Sequence, residues 1–307
     1  MGKLFNSHCL VVICIALFII NGVFLANQER PILGFTSHPV EVNHDIHRKF
    51  TIMAYNIAKG FIHKGGIKFE NRNILLERLR GIAEIIKKEK ADVVFISEII
   101  FECGPCPINQ VIFLAEEAGM HTWAFGENYN FGLPFYRIVG GNAILSRWPL
   151  KLLGNPSLSG HKPFYMTTNS RRVLLSLLKL DNQLKVDNKQ ILLAAVHNDS
   201  FSLDNNLLQT KQILDYTDKK EAIIAGDFNA NPHEPSIQLI QNTGRFTGEF
   251  DGAMTFPSNK PNQKIDFIFV PLDWKLISFY TIQTNLSDHL PIVSIFKINK
   301  IGDRKKE

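Results

Sequence analysis

The chain has 307 residues, a hydrophobic fraction of 45% and a net charge of +5 at pH 7. This length accommodates one large α/β domain, and the composition excludes a chain that is disordered throughout. The mildly positive charge favours a polyanionic substrate or an anionic membrane surface, but it does not select between them.

An apolar run extends from Cys9 to Ala26 after Lys3 and is interrupted only by Asn21 and Gly22. Such a run is typical of a cleaved signal peptide or of a single membrane anchor. A hydrophobic helix buried in the fold is the third alternative. We therefore expect residues 1–26 to target the chain, with membrane association through residues 9–26 where they are retained. The domain is then expected to be secreted, periplasmic or anchored on the non-cytoplasmic side.

The remainder of the chain divides into three parts. Residues 27–47 are mostly polar and contain Pro31 and Pro39, so they predict a linker. Residues 48–300 predict the folded domain, and residues 301–307 form a charged tail that is expected to lie in solvent. The sequence indicates no protein partner.

From residue 49 onward, the hydrophobic pattern predicts regular elements. Residues 50–56 predict a strand, and residues 71–89 predict a helix because apolar side chains recur there at helical spacing. Residues 92–98 predict a buried strand, and a helix follows at about 108–119. Further strands are expected at about 141–147, 172–180, 190–197, 221–226, 264–270, 276–283 and 291–297, with a helix at about 204–217. The early alternation and the later strands predict an α/β sandwich with mixed sheets.

Two cysteines, Cys103 and Cys106, form a C-G-P-C sequence between a predicted strand and a predicted helix. This spacing occurs in thioredoxin-like redox pairs. It also suits a local disulfide that braces a loop in an oxidising compartment. The flanking sequence has no other redox feature, so we favour the disulfide.

Polar side chains stand where several apolar strands end or begin. They are Asn56, Glu98, His197, Asp227, Asn229, Asp266, Asp288 and His289. Each one alone suits a turn, a helix cap or a structural histidine. Together they are expected at one rim of a sheet, where α/β folds place their ligands. Their oxygen atoms suit Mg²⁺ or Mn²⁺, and two histidines with several carboxylates suit metal-assisted hydrolysis.

The flanking motifs stand in a fixed order along the chain. They are Tyr55-Asn56, Ile96-Ser-Glu98, Gly141-Asn-Ala-Ile-Leu-Ser-Arg147, Val196-His197, Gly226-Asp-Phe-Asn-Ala-Asn-Pro232, Ile265-Asp266 and Ser287-Asp-His-Leu-Pro-Ile292. This set resembles the endonuclease/exonuclease/phosphatase superfamily, to which DNase I and the neutral sphingomyelinases belong. The resemblance spans about residues 50–296. It implies a four-layered α/β sandwich with two packed mixed β-sheets flanked by helices.

The resemblance also implies a role for each matched residue. The implied metal ligands for Mg²⁺, with Mn²⁺ as the alternative, are Asn56, Glu98 and Asp288. The implied catalytic residues are His197, Asp227, Asn229, Asp266 and His289. His197 would donate a proton to the leaving oxygen, and either Asp227 or His289 would be the general base. The predicted substrate-binding residues are Asn142, Arg171 and Arg172, although the two arginines equally suit the exposed start of a strand.

These features predict a divalent-metal-dependent phosphodiesterase that acts on nucleic acid outside the cytoplasm. Hydrolysis of phospholipid or sphingomyelin at a membrane is the alternative, and an exposed aromatic hairpin near residues 129–136 would favour it. A non-catalytic binding protein on the same fold is the third hypothesis. N-glycosylation patterns begin at Asn198 and Asn285 beside the predicted histidines. We therefore expect a bacterial envelope or extracellular setting without glycosylation.

Overall fold

The computed structural model describes residues 7–21, 24, 28–37, 49–61, 71–161, 170–180 and 190–298. The predicted tail and residues 38–47 of the predicted linker lie outside these ranges. The helices are α1 (Ser7–Ile20), α2 (Arg72–Lys88), α3 (Gln110–Glu117), α4 (Leu203–Tyr216) and α5 (Pro235–Asn242). The strands are β1 (Ile32–Phe35), β2 (Phe50–Asn56), β3 (Val93–Cys103), β4 (Thr122–Leu133), β5 (Tyr136–Ser146), β6 (Leu150–Gly154), β7 (Leu174–Lys179), β8 (Gln190–His197), β9 (Ala222–Asp227), β10 (Phe246–Gly248), β11 (Asp266–Pro271), β12 (Lys275–Thr281) and β13 (Ile292–Lys297).

The strands form two mixed sheets. The first has the order β1-β4-β5-β3-β2-β13-β12, and the second has the order β10-β11-β9-β8-β7-β6. The pairs β2–β3 and β8–β9 are parallel, whereas the other paired strands are antiparallel. This architecture confirms the predicted α/β sandwich.

Alternating side chains on each strand build the layers. Phe50 and Ile52 of β2 belong to a buried cluster with Leu193 of β8 and Ile223 of β9, which fills the space between the sheets. Met53, the neighbour of Ile52, belongs instead to the cluster that includes α2 and α3 side chains. A third cluster joins the outer face of the second sheet to α4 and α5. Because successive strand residues face opposite sides, one strand contributes to two cores.

Most elements predicted from periodicity occur within a few residues of the expected bounds. Five elements of the structure, however, were not predicted. These are β1, β4, β6, α5 and β10. In β4, the glycines Gly126 and Gly132 and the buried polar side chains Glu127, Asn128 and Asn130 break the alternation that normally marks a strand. The hairpin that β4 forms with β5 was therefore predicted only in part.

Residues 32–35 lie inside the predicted linker, yet they form an edge strand. β1 pairs with β4 in antiparallel register, with Gly34 opposite Trp123. A Cβ atom at Gly34 would overlap the indole ring of Trp123, so only glycine allows this approach. The linker prediction is therefore wrong for these four residues.

The apolar segment near the N-terminus forms α1, whose side chains are not buried. This finding contradicts the alternative of a helix buried in the fold. Among the described residues, no helix combines the length and the apolar character that crossing a membrane requires.

The two cysteines of the C-G-P-C sequence, Cys103 and Cys106, are buried and both are free thiols. The expected disulfide is therefore absent. Burial raises the pKa of both thiols. A protonated thiol is a poor nucleophile, so these cysteines resemble structural core residues more than a redox pair.

Candidate active site

Strand direction places the predicted catalytic residues at one rim of the sandwich. Asn56 ends β2, which runs parallel to β3, and His197 ends β8 opposite Asp227 at the end of β9. β11 runs antiparallel to β9 and begins at Asp266, which also lies opposite Asp227. The rim of both sheets therefore carries side chains from strands that are far apart in the sequence.

A hydrogen bond joins the two sheets at this rim. Nδ2 of Asn56 donates to Oδ2 of Asp227 at 2.9 Å, and Oδ1 of Asn56 accepts from the backbone N–H of Ala58 at 3.0 Å. The other carboxylate oxygen of Asp227 accepts from the backbone N–H of Asn229 at 2.9 Å. Asn229 donates its own side-chain amide to the Asn198 carbonyl at 3.1 Å. These bonds fix the orientation of the Asp227 carboxylate.

Asp266 and His289 form a buried pair next to Asp227. Nδ1 of His289 lies 2.9 Å from Oδ2 of Asp266, and its Nε2 lies 3.7 Å from Oδ2 of Asp227. The ring of Phe256 packs against the imidazole with 4.8 Å between ring centroids. The hydrogen bond and the ring contact hold the imidazole with Nε2 directed towards Asp227.

His197 lies on the other side of Asp227. Its Nε2 is 3.7 Å from Oδ2 of Asp227 and 3.8 Å from Oε1 of Glu98. The second oxygen of Glu98 is ion-paired with the ammonium of Lys59. The imidazoles of His197 and His289 thus lie on either side of the Asp227 carboxylate, and the ion pair of Glu98 and Lys59 lies beyond His197.

A β-bulge directs Glu98 into this arrangement. The register between β3 and β5 shifts between Ile96 and Ile99, and Glu98 adopts a left-handed φ of 55°. Bulges of this kind turn a side chain away from the alternation of the strand. Ser97, inside the same bulge, donates its hydroxyl to the Val196 carbonyl at 3.1 Å and so links the two sheets.

Burial and neighbouring charges shift the pKa values of the buried acid and the two histidines in different directions. Burial and the Asp266 charge raise the pKa of Asp227 to about 7. Burial alone would lower the pKa of His289, but Asp266 and Asp227 outweigh it and raise the pKa to about 10. Burial and the charge of Arg171 hold the pKa of His197 well below its usual value. At neutral pH, His289 is therefore a cation and His197 is neutral.

The pKa of Glu98, on the far side of His197, is also strongly shifted. Burial alone would raise the pKa of Glu98, but Lys59 and His197 outweigh it and lower the pKa to about 2. Glu98 is consequently a carboxylate at any physiological pH. Asp288 is half-buried and accepts a hydrogen bond from the Ser287 hydroxyl at 3.2 Å.

The donor set suits a hard divalent cation. Ligand atoms of Asp227, Asp266 and His289 all lie within 4.8 Å of one another, and one oxygen of Asp266 is buried without a hydrogen-bond partner among the described residues. The 2.9 Å contact between Asp266 and His289, however, has the length of a hydrogen bond. The sequence-based ligand set of Asn56, Glu98 and Asp288 stays a prediction, as does the identity of the metal.

The three predicted substrate-binding residues have different surroundings. Arg171 lines a cavity of about 220 Å³ beside His197. Arg172 is buried and donates to the Asn155 carbonyl at 2.8 Å, so its predicted contact with substrate is wrong. Neighbouring residues of an extended segment face opposite sides, which separates the two arginines. Asn142 is fully buried and lies outside the lining of this cavity.

The sequence analysis did not predict several residues of the cavity, among them Lys59 and Phe201. No local signal in the sequence identifies Lys59 as a partner of Glu98. Phe201 lies in a loop after β8, where an isolated aromatic residue carries no periodic signal.

The sequence profile of the Endonuclease/Exonuclease/phosphatase family matches residues 53–289. The chain belongs to this family. The resemblance inferred from the motifs is thereby confirmed. Family hydrolases act on phosphoric esters and generally use divalent metals, so membership supports a metal-dependent phosphoesterase. No curated protein matches the chain.

Solved structures share the fold at low sequence identity. An endonuclease/exonuclease/phosphatase from Beutenbergia cavernae is 19% identical with a TM-score of 0.60, and the match covers 82% of this chain and 72% of that one. A mannosyl-6-phosphatase from Bacteroides thetaiotaomicron is 14% identical with a TM-score of 0.59 and coverages of 80% and 99%. The catalytic domain of human nocturnin, solved with a sulfate anion, is 16% identical with a TM-score of 0.58 and coverages of 88% and 97%.

Proposed function

We propose that the chain is a divalent-cation-dependent phosphodiesterase that hydrolyses nucleic acid outside the cytoplasm. The observation that carries the proposal is the buried group of Asp227, His289 and His197 beside a cavity lined by Lys59 and Arg171. Acid–base groups suit ester hydrolysis, and fixed cations suit a polyanionic strand. The positive net charge of the chain supports the same substrate class.

The ionisation states assign the acid and base roles. His289 keeps its proton at neutral pH, so it cannot be the base in its resting state, whereas Asp227 is substantially deprotonated near its pKa of about 7. Asp227 would accept the proton of the attacking water. His289, as an imidazolium, would stabilise negative charge on the phosphoryl oxygens, and Asn229 would add a hydrogen bond.

His197 has a different part. Because its pKa is well below the usual value, His197 is neutral in the resting state, so its N–H would donate a hydrogen bond to the leaving oxygen, and that oxygen would take its proton from solvent. A divalent cation held by the carboxylates, with Glu98 as the ligand inferred from the motifs, would supply charge neutralisation on the phosphoryl group. Each acid–base contribution of this kind is worth about 10²–10⁴-fold in rate.

The test is hydrolysis by the purified full chain of single- and double-stranded DNA, RNA, sphingomyelin vesicles and a soluble phosphate monoester. We expect turnover of DNA or RNA with Mg²⁺, loss of turnover in EDTA and loss in Asp227→Asn. The monoester is included because a structural relative is named a mannosyl-6-phosphatase. Hydrolysis of the monoester alone would overturn the nucleic-acid proposal. The absence of any turnover would instead favour a binding protein.

Lipid hydrolysis is the second candidate because one hairpin tip is apolar. Phe135, in the turn between β4 and β5, and Tyr136, the first residue of β5, are 78% and 53% exposed. Tyr129 and Gly141 of the same hairpin line the cavity, so the tip extends about four residues, or roughly 13 Å, beyond it. Such a tip suits contact with a membrane. Co-sedimentation with phosphatidylcholine–sphingomyelin vesicles that is lost in Phe135→Ser, together with sphingomyelin turnover, would favour this candidate over nucleic acid.

The export part of the proposal rests on the apolar segment at residues 9–26. We expect the domain of the expressed full chain to be cleaved by protease added to intact cells or spheroplasts. Mass spectrometry of the mature N-terminus separates a removed signal from a retained anchor. Protection of the domain until the cells are lysed would contradict the proposed location.

A further inference from the structure

We infer that the cavity beside His197 is a subsite for a second phosphate on the leaving side of the substrate, held by Arg171 with Lys59. This inference rests on the proposed nucleic-acid function and specifies how the strand is recognised. On a strand, the second phosphate is the neighbour of the one that is cleaved. The cavity contacts the site at Glu98 and His197, whereas Asp266 and His289 lie outside its lining.

The position of the cavity indicates on which side of the cleaved bond it lies. Asp227, which would activate water, lies between the two imidazoles, at 3.7 Å from each Nε2. His197 is the imidazole that faces the cavity, and it is the one assigned to the leaving oxygen. His197 lines the cavity and His289 does not, so we place a group that occupies the cavity on the His197 side of Asp227, which is the side assigned to the leaving oxygen.

The charges of the cavity select an anion. The guanidinium of Arg171 makes no hydrogen bond or ion pair with a described residue, although its electrostatic partners include Glu98, Asp227 and Asp199. Burial lowers its pKa, yet the group remains a cation at neutral pH. Lys59 adds a second cation, and its charge is shared with Glu98. A planar guanidinium that has no hydrogen-bond partner among the described residues suits bidentate contact with phosphate.

The size and rim of the cavity favour a compact group. Its volume of about 220 Å³ is below the roughly 300–1,000 Å³ of pockets for drug-sized ligands. Phe201 lies at its edge and is 82% exposed. The Asp199 carboxylate fixes this loop by accepting from the backbone N–H groups of Phe201 and Ser202, at 2.7 and 2.9 Å. An exposed ring on a loop whose backbone is held in this way suits stacking against a nucleobase.

Binding tests the subsite without turnover. Calorimetry of the full chain in EDTA would compare a nucleoside 3′,5′-bisphosphate with the corresponding 3′- and 5′-monophosphates. We expect the bisphosphate to bind at least about tenfold more tightly than either monophosphate, because only it reaches both phosphate positions. Arg171→Met should abolish this preference, and Arg171→Lys should retain part of it. Arg80→Met, which removes an exposed guanidinium from α2, is the matched control and should retain the full preference.

Equal binding of the bisphosphate and the monophosphates by the native chain would overturn the inference. An undiminished preference in Arg171→Met would do so too.

The rate of dinucleotide hydrolysis provides a second test of the subsite. Dinucleotides with a terminal phosphate at the 5′ end, at the 3′ end or at neither end would be compared by kcat/KM. One of the two terminal phosphates should raise kcat/KM at least about tenfold, mainly through KM, and Arg171→Met should bring that ratio close to one.

Hydrolysis of all three dinucleotides at one rate would refute the subsite and leave the proposed nuclease standing. If no dinucleotide is cleaved, the assay on DNA and RNA decides the nuclease proposal, and the calorimetric comparison alone decides whether the cavity binds a second phosphate.

Discussion

Replacing Asp266 by Asn should lower the pKa of His289 and with it the alkaline limit of activity. The Asp266 carboxylate is 2.9 Å from Nδ1 of His289, and it is the largest of the charges that raise the pKa of His289 to about 10. At an effective dielectric constant of about 20, Coulomb's law gives about 6 kcal/mol at this distance. The rise from the reference value of 6.5 corresponds to roughly 5 kcal/mol. The attraction of Asp266 is thus comparable to the net rise, and Asp227 and Asp288 help to offset burial, which lowers the pKa.

We expect Asp266→Asn to lower the pKa of His289 by at least about 2 units, to about 8 or below. Asn preserves the shape and can still accept the Nδ1–H hydrogen bond, so the change is mainly one of charge. NMR titration of the imidazole from about pH 6 to about pH 11, in EDTA, measures this pKa in both the native chain and the variant. His289→Gln assigns the signal, and Asp251→Asn, which removes an exposed carboxylate, is the control.

The sign of the effect on rate follows from the active protonation state. Because protonated His289 stabilises the phosphoryl charge, activity is lost as the pH rises through its pKa. In the native chain this loss should occur near pH 10, and in Asp266→Asn it should occur about 2 units lower. The variant should therefore be impaired far more at pH 9 than at pH 6.5. An imidazole that titrates identically in both proteins, or an equal loss of rate at both pH values, would refute the reasoning.

Three further changes have expected outcomes. Asp227→Asn should lower kcat by about 10²–10⁴-fold with little change in the thermal midpoint, and a loss below tenfold by kinetic assay would contradict its role as base. Gly226→Ala should destabilise the domain by more than about 2 kcal/mol in urea unfolding, because φ is 138° and the new Cβ would overlap a carbonyl of β8. Gly244→Ala, with open space around it at φ 63°, should cost only about 1–2 kcal/mol, and equal losses would count against the steric argument. Serine at both Cys103 and Cys106 should leave kcat within about twofold, as expected of buried free thiols, and a large loss with intact folding would point to a redox role.

Sequence patterns singled out Asn56, His197, Asp227 and Asp266 because these residues stand at strand boundaries. β2 ends at Asn56 and β8 ends at His197, where an apolar run gives way to a polar residue in the sequence itself. Asp227 and Asp266 follow the same rule on paired strands. The rule depends only on local periodicity, so it needs no knowledge of which strands are neighbours.

The same rule fails where a contact depends on tertiary packing. Arg171 and Arg172 are equivalent in the sequence, but one lines the cavity and the other is buried against the Asn155 carbonyl. β1 depends on the fit between Gly34 and Trp123, which are about ninety positions apart in the sequence. Neither outcome has a local signal, because each is decided by the partner strand.

Backbone conformation explains why the ion pair between Lys59 and Glu98 was not predicted from the sequence. Lys59 and Glu98 both have left-handed φ angles, 61° and 55°, which side chains of their type rarely adopt and which cost about 1–3 kcal/mol each. Gln110 at the start of α3 stabilises both segments, since it donates to the Lys59 carbonyl at 2.7 Å and accepts from the N–H of Ile100 at 3.0 Å. A buried glutamine on a separate helix thus holds two strained segments together, and the ion pair between Lys59 and Glu98 follows from that arrangement. The sequence specifies this pair only through the whole fold, whereas it specifies Asp227 and His197 locally.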